Sequence, residues 1–379
     1  MVFTLNAIYY VTQAELNALQ LVLIGTIMEV SVLLFEMPTG LFADHYGRKK
    51  SLAFGTLVLG LAHVLEGSTP EFWAIAVASA MWGIGWTFIS GAEQAWIADE
   101  MDAKNLEKTF LRGSQFSSFA RFAAILTSVA IAAVWSVQTA IIIAGIMLIM
   151  LAVWAIIKLP ETKFVKVTRE KGVSGITHMM TSIKAGVSQI RGNTVLVSIA
   201  MVTLFWGLAS EGFDRLYGAH FIVDYQLSES ESVYWFGTFY AVAFLLNIVV
   251  LRFVERHVKG RYAQVLLMTN TILMATMIGF AWTGHFWVAV ALYWVTSALR
   301  NVNYPLMSII TNERIESKGR ATTLSMFGQL DAFGQIAGGP LVGMLALYTS
   351  IAGGITSSAL LNLPVLYFLW RMKGKMTVS

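Results

Sequence analysis

The stretch GLFADHYGRKK, residues 40–50, decides how this chain is read. It closes one long apolar run, 20–42, with a turn and three consecutive basic residues, Arg48, Lys49 and Lys50, and a second apolar run, 51–67, follows at once. An α-helix needs about 20 mainly apolar residues to cross the roughly 30 Å hydrocarbon core of a bilayer. The stretch therefore reads as a short, positively charged loop between two membrane spans.

Working outward from it, the same criterion gives eleven full spans: about 20–42, 51–67, 72–97, 112–134, 138–159, 194–214, 232–254, 263–283, 286–307, 321–347 and 350–371. The runs are continuous rather than alternating, which excludes membrane strands. Composition agrees. Of 379 residues 56% are hydrophobic and 13% charged, about half the charge load of a soluble domain, and the mean hydropathy is +0.66. The 12 Trp and 23 Phe suit lipid-facing helices with aromatic belts. The absence of cysteine excludes disulfides, thiolate catalysis and Cys-based metal sites. No phosphate-binding loop, metalloprotease spacing or hydrolase constellation occurs, so the chain reads as neither an ATP-driven machine nor an enzyme, with no metal or cofactor.

The net charge of +4 is a topology signal and not a nucleic-acid signal. After Arg48–Lys50, basic residues recur in every second loop: Lys104, Lys108 and Arg112; Lys163, Lys166, Arg169, Lys171, Lys184 and Arg191; Arg256, Lys259 and Arg261; Arg314, Lys318 and Arg320; Arg371, Lys373 and Lys375. Only Arg121, Arg215 and Arg300 fall outside these stretches and their borders. The positive-inside rule then places the basic loops and the C-terminus in the cytoplasm, in the inner membrane of a prokaryote. On that orientation the chain before residue 11 comes from inside, yet residues 1–10 reach only about 15 Å as a helix. A first helix lacking its start is the expectation here; a re-entrant or interfacial stub is the other reading.

The polar stretch 160–193, with a possible amphipathic surface helix at 174–190, separates an N-terminal bundle, 1–159, from a C-terminal bundle, 194–379. Setting Arg112 over Arg320 aligns RGSQFSSFA with RATTLSMFG, which suggests an internal repeat. Six-plus-six repeats are a known transporter architecture.

Residues 40–50 now carry more. Gly40, Asp44, Gly47, Arg48 and Lys49 stand at the spacing G-x-x-x-D-x-x-G-R-K, which resembles the loop signature between the second and third helices of the major facilitator superfamily. Leu159-Pro160-Glu161-Thr162 is also similar to that family. The resemblance implies an all-α integral membrane fold of two six-helix bundles, here eleven full spans plus a partial first helix. It implies that the loop is a conformational latch controlling alternating access. Physically, Gly40 would admit a neighbouring helix, Gly47 a tight turn, and Asp44 a helix cap or a partner for an Arg. The strings at Glu36–Gly40, Glu93–Trp96 and Glu211–Arg215 resemble an efflux-like, drug:proton-antiporter-like branch. The family's drug:proton antiporters often have an Arg where Ser79 stands, before Gly83 and Gly85, and a Gly-Pro motif in helix five; this chain departs from both, and the nearest string here is in helix eleven, Gly334, Gly338, Gly339, Pro340 and Gly343, which reads first as a close-packing face.

Ionisable groups inside spans are costly and mark pathways or pairs. The gap-free repeat puts one acid and one base on the fourth and fifth helices of each half: Glu93 with Arg121, and Arg300 with Asp331. Two structural ion pairs and direct substrate contacts are both open readings. With the bases so assigned, Glu36, and after it Glu29, become the candidates for carrying a coupling proton, with Asp331 a third. Glu211, Asp214 and Arg215 close the seventh span as an outer gate or a substrate contact at the mouth. The expected activity is secondary active transport of a small molecule by a monomer, as proton-coupled export of a drug-like or amphipathic compound. Proton-coupled uptake of a polar metabolite, or a solute sensor without net flux, are the alternatives. The bilayer, the proton and the solute are its expected partners.

Overall fold

The computed structural model describes residues 2–101, 103–164, 190–258, 260–315 and 320–376, with 181, 184 and 186–188. These residues form helices and turns and no strand. In lipid no water bonds the backbone, so each N–H and C=O must be satisfied within its own segment, which a helix achieves. The first set comprises α1 (Val2–Ile8), which runs into a π-helical turn at Tyr9–Gln13, then α2 (Ala18–Tyr46), α3 (Arg48–Ser68), α4 (Phe72–Glu100), α5 (Ala103–Val134) and α6 (Val137–Lys158). The second comprises α7 (Thr194–Ala219), which runs into a second π-helical turn at His220–Asp224, then α8 (Glu229–His257), α9 (Tyr262–Trp282), α10 (Phe286–Arg314) and α11 (Arg320–Tyr348). A last span is broken into α12 (Ile351–Leu360) and α13 (Leu363–Met376). The surface helix expected over 174–190, with Lys166, Arg169 and Lys171 before it, lies largely outside the described residues.

Ten helical segments among the described residues are long and apolar enough to cross a membrane. The sequence reading counts eleven, and α10 makes the difference. It has the length, 29 residues, but Ser297, Arg300, Asn301 and Asn303 fall within about two turns and keep it too polar. Its polarity becomes informative below.

Helix ends reveal the repeat more sharply than sequence similarity does. Arg48–Ser68 corresponds to Tyr262–Trp282, Phe72–Glu100 to Phe286–Arg314, and the end of α5 at Val134 to the end of α11 at Tyr348, each 214 residues apart. The capping serines agree: Ser136 accepts from the Thr139 N–H and Ser350 from the Gly353 N–H, again 214 residues apart. The two π turns and the pair α2 and α8 stand 211 apart, the difference being taken up where α8 reaches α9 by a longer connection than Gly47. The alignment of Arg112 with Arg320 is therefore displaced by six residues, about 9 Å along a helix and well over a turn in rotation. At the corrected offset Trp86 and not Ala92 corresponds to Arg300, and Ser117 and not Ala123 to Asp331.

The chain forms two compact units: Met1–Leu16, Ile27–Ile176 and Ser228–Gly237 make one, and Asn17–Thr26, Thr177–Leu227 and Thr238–Ser379 the other. The opening residues of α2 thus pack with the second unit and those of α8 with the first. Without a hydrophobic driving force between helices in lipid, small residues that let backbones touch carry much of the packing. In the first unit a methyl added to Gly55 would lie 2.6 Å from the Gly85 carbonyl oxygen, and one on Gly85 2.9 Å from that of Gly55. Gly60 and Gly145 join α3 to α6 in the same way, at 2.8 and 2.7 Å. In the second unit Gly334 and Gly338 of α11 face the α7 backbone at Leu204 and Leu208. Gly339 and Gly343 face Thr26 and Leu19 of α2, with Pro340 between them inside α11. Gly40 departs from the reading above, since nothing lies within 4 Å of its place for a side chain.

Replacing Gly85 by Val should lower the thermal stability of the detergent-purified protein by about 1–3 kcal/mol through overpacking. Gly91→Ala in the same helix, where nothing lies within 4 Å, should hold or raise it by up to about 1 kcal/mol. Equal melting shifts for the two would refute this packing account.

Candidate functional site

Polar residues of α10 gather the second unit's charged groups around a cavity. Arg300 makes a two-pronged ion pair with Asp214 of α7, Nη2 to Oδ2 at 2.6 Å and Nη1 to Oδ1. Its guanidinium also lies 5.4 Å from the centre of the Phe213 ring, a favourable cation–π contact. A planar guanidinium matches a carboxylate in this geometry as a Lys ammonium does not. Phe213, Asp214 and Arg300 line two adjoining cavities. One, of about 250 Å³, also takes in Trp206, Asn303, Asp331 and Gln335. The other, of about 390 Å³, takes in Tyr217, Tyr240 and Tyr293.

Around the first cavity the amides form a network. The Trp206 indole N–H donates to Asn270 Oδ1 at 3.0 Å, Asn270 Nδ2 donates to Asn303 Oδ1 at 3.2 Å, and the Thr269 hydroxyl donates to the same oxygen at 3.1 Å. Asp331 accepts from Gln335 Nε2 at 2.8 Å. In the other cavity the Tyr217 and Tyr240 hydroxyls meet at 2.5 Å. Glu211 is 4% exposed and accepts from Arg215 Nε at 3.1 Å, one helical turn on.

Two expectations fail here. Arg300 takes Asp214, not Asp331, because Asp214 on α7 presents both carboxylate oxygens to the guanidinium while Asp331 accepts from Gln335 on its own helix. Glu93 and Arg121 are both exposed, and among the described residues neither enters an ion pair. The residues expected as an outer gate also move. α7 does not close at 214 but continues through its π turn to Asp224, so Glu211, Asp214 and Arg215 lie inside the helix, Asp214 about 15 Å short of that end.

In the first unit, Glu36, Asp44 and Arg48 line a further cavity of about 400 Å³ with Thr39, Thr87 and Ser90. Glu36 is exposed to it, and Glu29 is partly buried one face along α2. The loop at 40–50 is held by residues far away in sequence. Gly47 has φ +110°, a backbone that L side chains rarely adopt. A methyl there would also lie 2.7 Å from a Glu161 carboxylate oxygen. That carboxylate accepts from the Lys49 N–H at 2.8 Å, a free donor of the first turn of α3. Asp44 therefore does not cap α3, and Arg48 pairs with Asp99 of α4 at 2.5 Å. Trp96 Nε1 donates to the Pro160 carbonyl at 2.7 Å, and Glu100 accepts from Thr162 N–H and Oγ1 at 2.8 Å each. The sequence motif Leu159–Thr162 is thus part of the same assembly as residues 40–50. Asp99 and Glu161 were missed as partners, although an acid at each of two neighbouring helix ends was the available signal.

Residues 1–259 match the family described as the Major Facilitator Superfamily. The chain is 22% identical over 372 residues, 95% of its length and 89% of the relative's, to an uncharacterized MFS-type transporter, YxaM, of Bacillus subtilis (strain 168). Its fold is similar to that of a bacterial homolog of the human lysosomal transporter Spinster (TM-score 0.75, 12% identity, 99% of this chain and 95% of that one). It is also similar to the peptide transporter POT in complex with sulfate (0.73, 12%, 99% and 91%) and to the nucleoside transporter NupG (0.68, 13%, 100% and 96%).

Asp214→Asn should lower the melting temperature of the purified protein, because it leaves Arg300 inside the span without its counter-charge. Exchanging the charges, D214R with R300D, should recover most of that loss. Additive damage from the two substitutions would show that the pair is not energetically coupled.

Proposed function

From membership of the Major Facilitator Superfamily, to which this chain belongs, we propose proton-coupled secondary transport that exports an amphipathic small molecule from the cytoplasm. The superfamily is one of transporters and not of enzymes, and the chain is a multi-pass membrane protein. The observation that carries the reading is the cavity of the second unit. An Arg, two Asp and a chain of amides are kept among the helices of the second unit around open space, at a cost that only a solute pathway or a tight pair repays. Walls of Trp206, Phe213 and Tyr304 beside Asp331 suit a molecule with an apolar body and a polar or charged head.

Three roles follow in this reading. Arg300 and Asp214 orient the polar head of the solute. Asp331, facing the same cavity, and Glu36, facing the cavity of the first unit, are the acids placed to exchange protons with water; Glu29 lies farther along the same helix. The assembly of residues 40–50 with Asp99 and Glu161 is the latch of the alternating-access cycle. The basic loops and C-terminus face the cytoplasm across a prokaryotic cytoplasmic membrane, and the protein acts as a monomer. The Asn270–Asn303 network favours a second reading, uptake of a polar metabolite, because it offers amide donors and acceptors at the cavity wall.

The test is flux in proteoliposomes under an imposed pH gradient of about one unit, worth a factor of about ten in driving force. Dyes, antibiotics and polar metabolites are screened in both directions. Gradient-dependent movement of an amphipathic compound toward the more acidic side, reduced at least several-fold by Arg300→Ala, is the expected result. Movement of polar metabolites alone would select the second reading, and the absence of flux for every compound in both directions would reject transport.

A further inference from the structure

A buried cluster in the first unit lies outside every residue set considered so far. Glu66, near the Ser68 end of α3, is 4% exposed, and His63, one turn earlier, is 6% exposed. The Glu66 carboxylate takes two donors. Tyr10 Oη donates to Oε1 at 2.5 Å, and His63 Nδ1 lies 2.9 Å from Oε2. The backbone carbonyl of Glu66 accepts from Tyr9 Oη at 2.6 Å. Tyr9 and Tyr10 are 0% and 7% exposed and open the π turn that ends α1. The Gln138 side chain of α6 lies close to the Tyr9 hydroxyl. The titratable groups facing Glu66 are therefore Tyr9 and Tyr10 from α1 and His63 from its own helix. Among the described residues no Lys or Arg pairs with Glu66 or His63.

We propose that the His63–Glu66 pair is a proton-binding site of the transport cycle, tied through Tyr9 and Tyr10 to the π turn of α1. The proposal rests on the reading as a proton-coupled carrier and adds to it a site separate from both cavities. With one proton shared between imidazole and carboxylate, the pair is net neutral. Without that proton it is an anion, and with a second it is a cation, and neither has a fixed counter-charge to meet it inside the span. Binding therefore forms one O–H or N–H bond within the pair at the expense of one in water, and release reverses it. Exchange requires the cluster to open, and the Tyr9 and Tyr10 bonds make the α1 turn the part that opens with it. Local π geometry is frequent at functional sites.

The second set of helices supports this independently. Its own π turn begins at His220, the position equivalent to Tyr9, and His220 Nε2 bonds the carbonyl of Phe280 at 3.0 Å, the position equivalent to Glu66. A carbonyl oxygen only accepts, so Nε2 carries a hydrogen. Nδ1 meets Asp224 Oδ2 at 2.5 Å. Both sets thus fasten the same turn to the same point of their third helix and place an imidazole–carboxylate pair beside it. In the second set the carboxylate is half open, with Asp224 43% exposed; in the first it is enclosed. Enclosure ties access to the first pair to opening of the cluster, as coupling requires.

Two measurements on the full chain test this, and the first does not depend on transport. Infrared difference spectra between acidic and alkaline pH, on protein in lipid nanodiscs, should contain a carboxylic-acid C=O band, or a shifted carboxylate stretch where the imidazole holds the proton, that Glu66→Gln removes and Tyr10→Phe shifts. Tyr10→Phe keeps the carboxylate and deletes one hydroxyl, so it remains decisive if Glu66→Gln does not fold. Superimposable spectra for wild type and E66Q, or an unmoved band in Y10F, would overturn the proposal. In proteoliposomes the ratio of flux with and without a gradient of about one pH unit should fall from about ten toward one in E66Q. A ratio as high as wild type would overturn it as well. If the wild type carries no solute, the transport reading fails, and the infrared result alone decides whether Glu66 binds a proton.

Discussion

Arg300 cannot lie inside a membrane span without an anion, and the way Asp214 meets it organises the second unit. A buried guanidinium is stable in lipid only when paired or in contact with water. Here it has both, a two-pronged carboxylate contact and a cavity. The pair ties α10 to α7, and α7 in turn packs against α11 through glycines at Gly334 and Gly338. α10 can therefore be too polar to pass as a span by composition and still hold its place. Its polar face turns toward Asp214, Asp331 and the Asn270–Asn303 amides, which supply what the lipid cannot. Breaking the pair leaves the remaining charge at the cavity wall without its partner, so the cavity and the stability of the unit stand on the same contact.

The first unit solves a different problem, that of fixing a loop in which one residue separates two helices. Gly47 makes the turn, and the free N–H of Lys49 needs an acceptor. Glu161 supplies it from beyond α6, while Asp99 of α4 holds Arg48. Three helix ends thus meet at one point through charge-assisted bonds, which are the stronger class of hydrogen bond. Away from that point α3 packs on α4 and α6 by backbone contact at Gly55, Gly85, Gly60 and Gly145. A helix gripped along its length and fastened at its charged end moves as a body.

Much of this was legible in the sequence. Hydropathy gave most of the spans to within a few residues, because length and apolarity are fixed by the bilayer and not by neighbours; α5, α7 and α10 run seven to ten residues beyond their apolar stretches. What failed was the pairing of charges between helices, although the expected packing face at Gly334–Gly343 is met. The repeat was aligned on a nine-residue string, and polar residues on lipid- or cavity-facing helices drift freely between halves. Helix ends and capping serines, set by membrane thickness and backbone geometry, hold the true offset of 214. The wrong offset paired Arg300 with Asp331. Glu66 was passed over because it stood near the end of an apolar run, where a solvated side chain is the ordinary reading; the Tyr9 and Tyr10 hydroxyls that enclose it lie more than fifty residues away. Glu211, Asp214 and Arg215 were placed at a helix end because charge was taken to stop the span, whereas pairing lets α7 carry them through.

The central claim is that the cavity at Asp214 and Arg300 is where solute resides. The chain has no cysteine, so one introduced at Ser210, on the wall of that cavity, is a unique label site. The rate at which a water-soluble maleimide modifies S210C in proteoliposomes is the most direct measurement. The account predicts modification that slows as a transported solute is added, with half-protection at the concentration that half-saturates flux. Labelling that proceeds at the same rate under a saturating concentration of a solute the protein carries would place the binding site elsewhere and contradict the account.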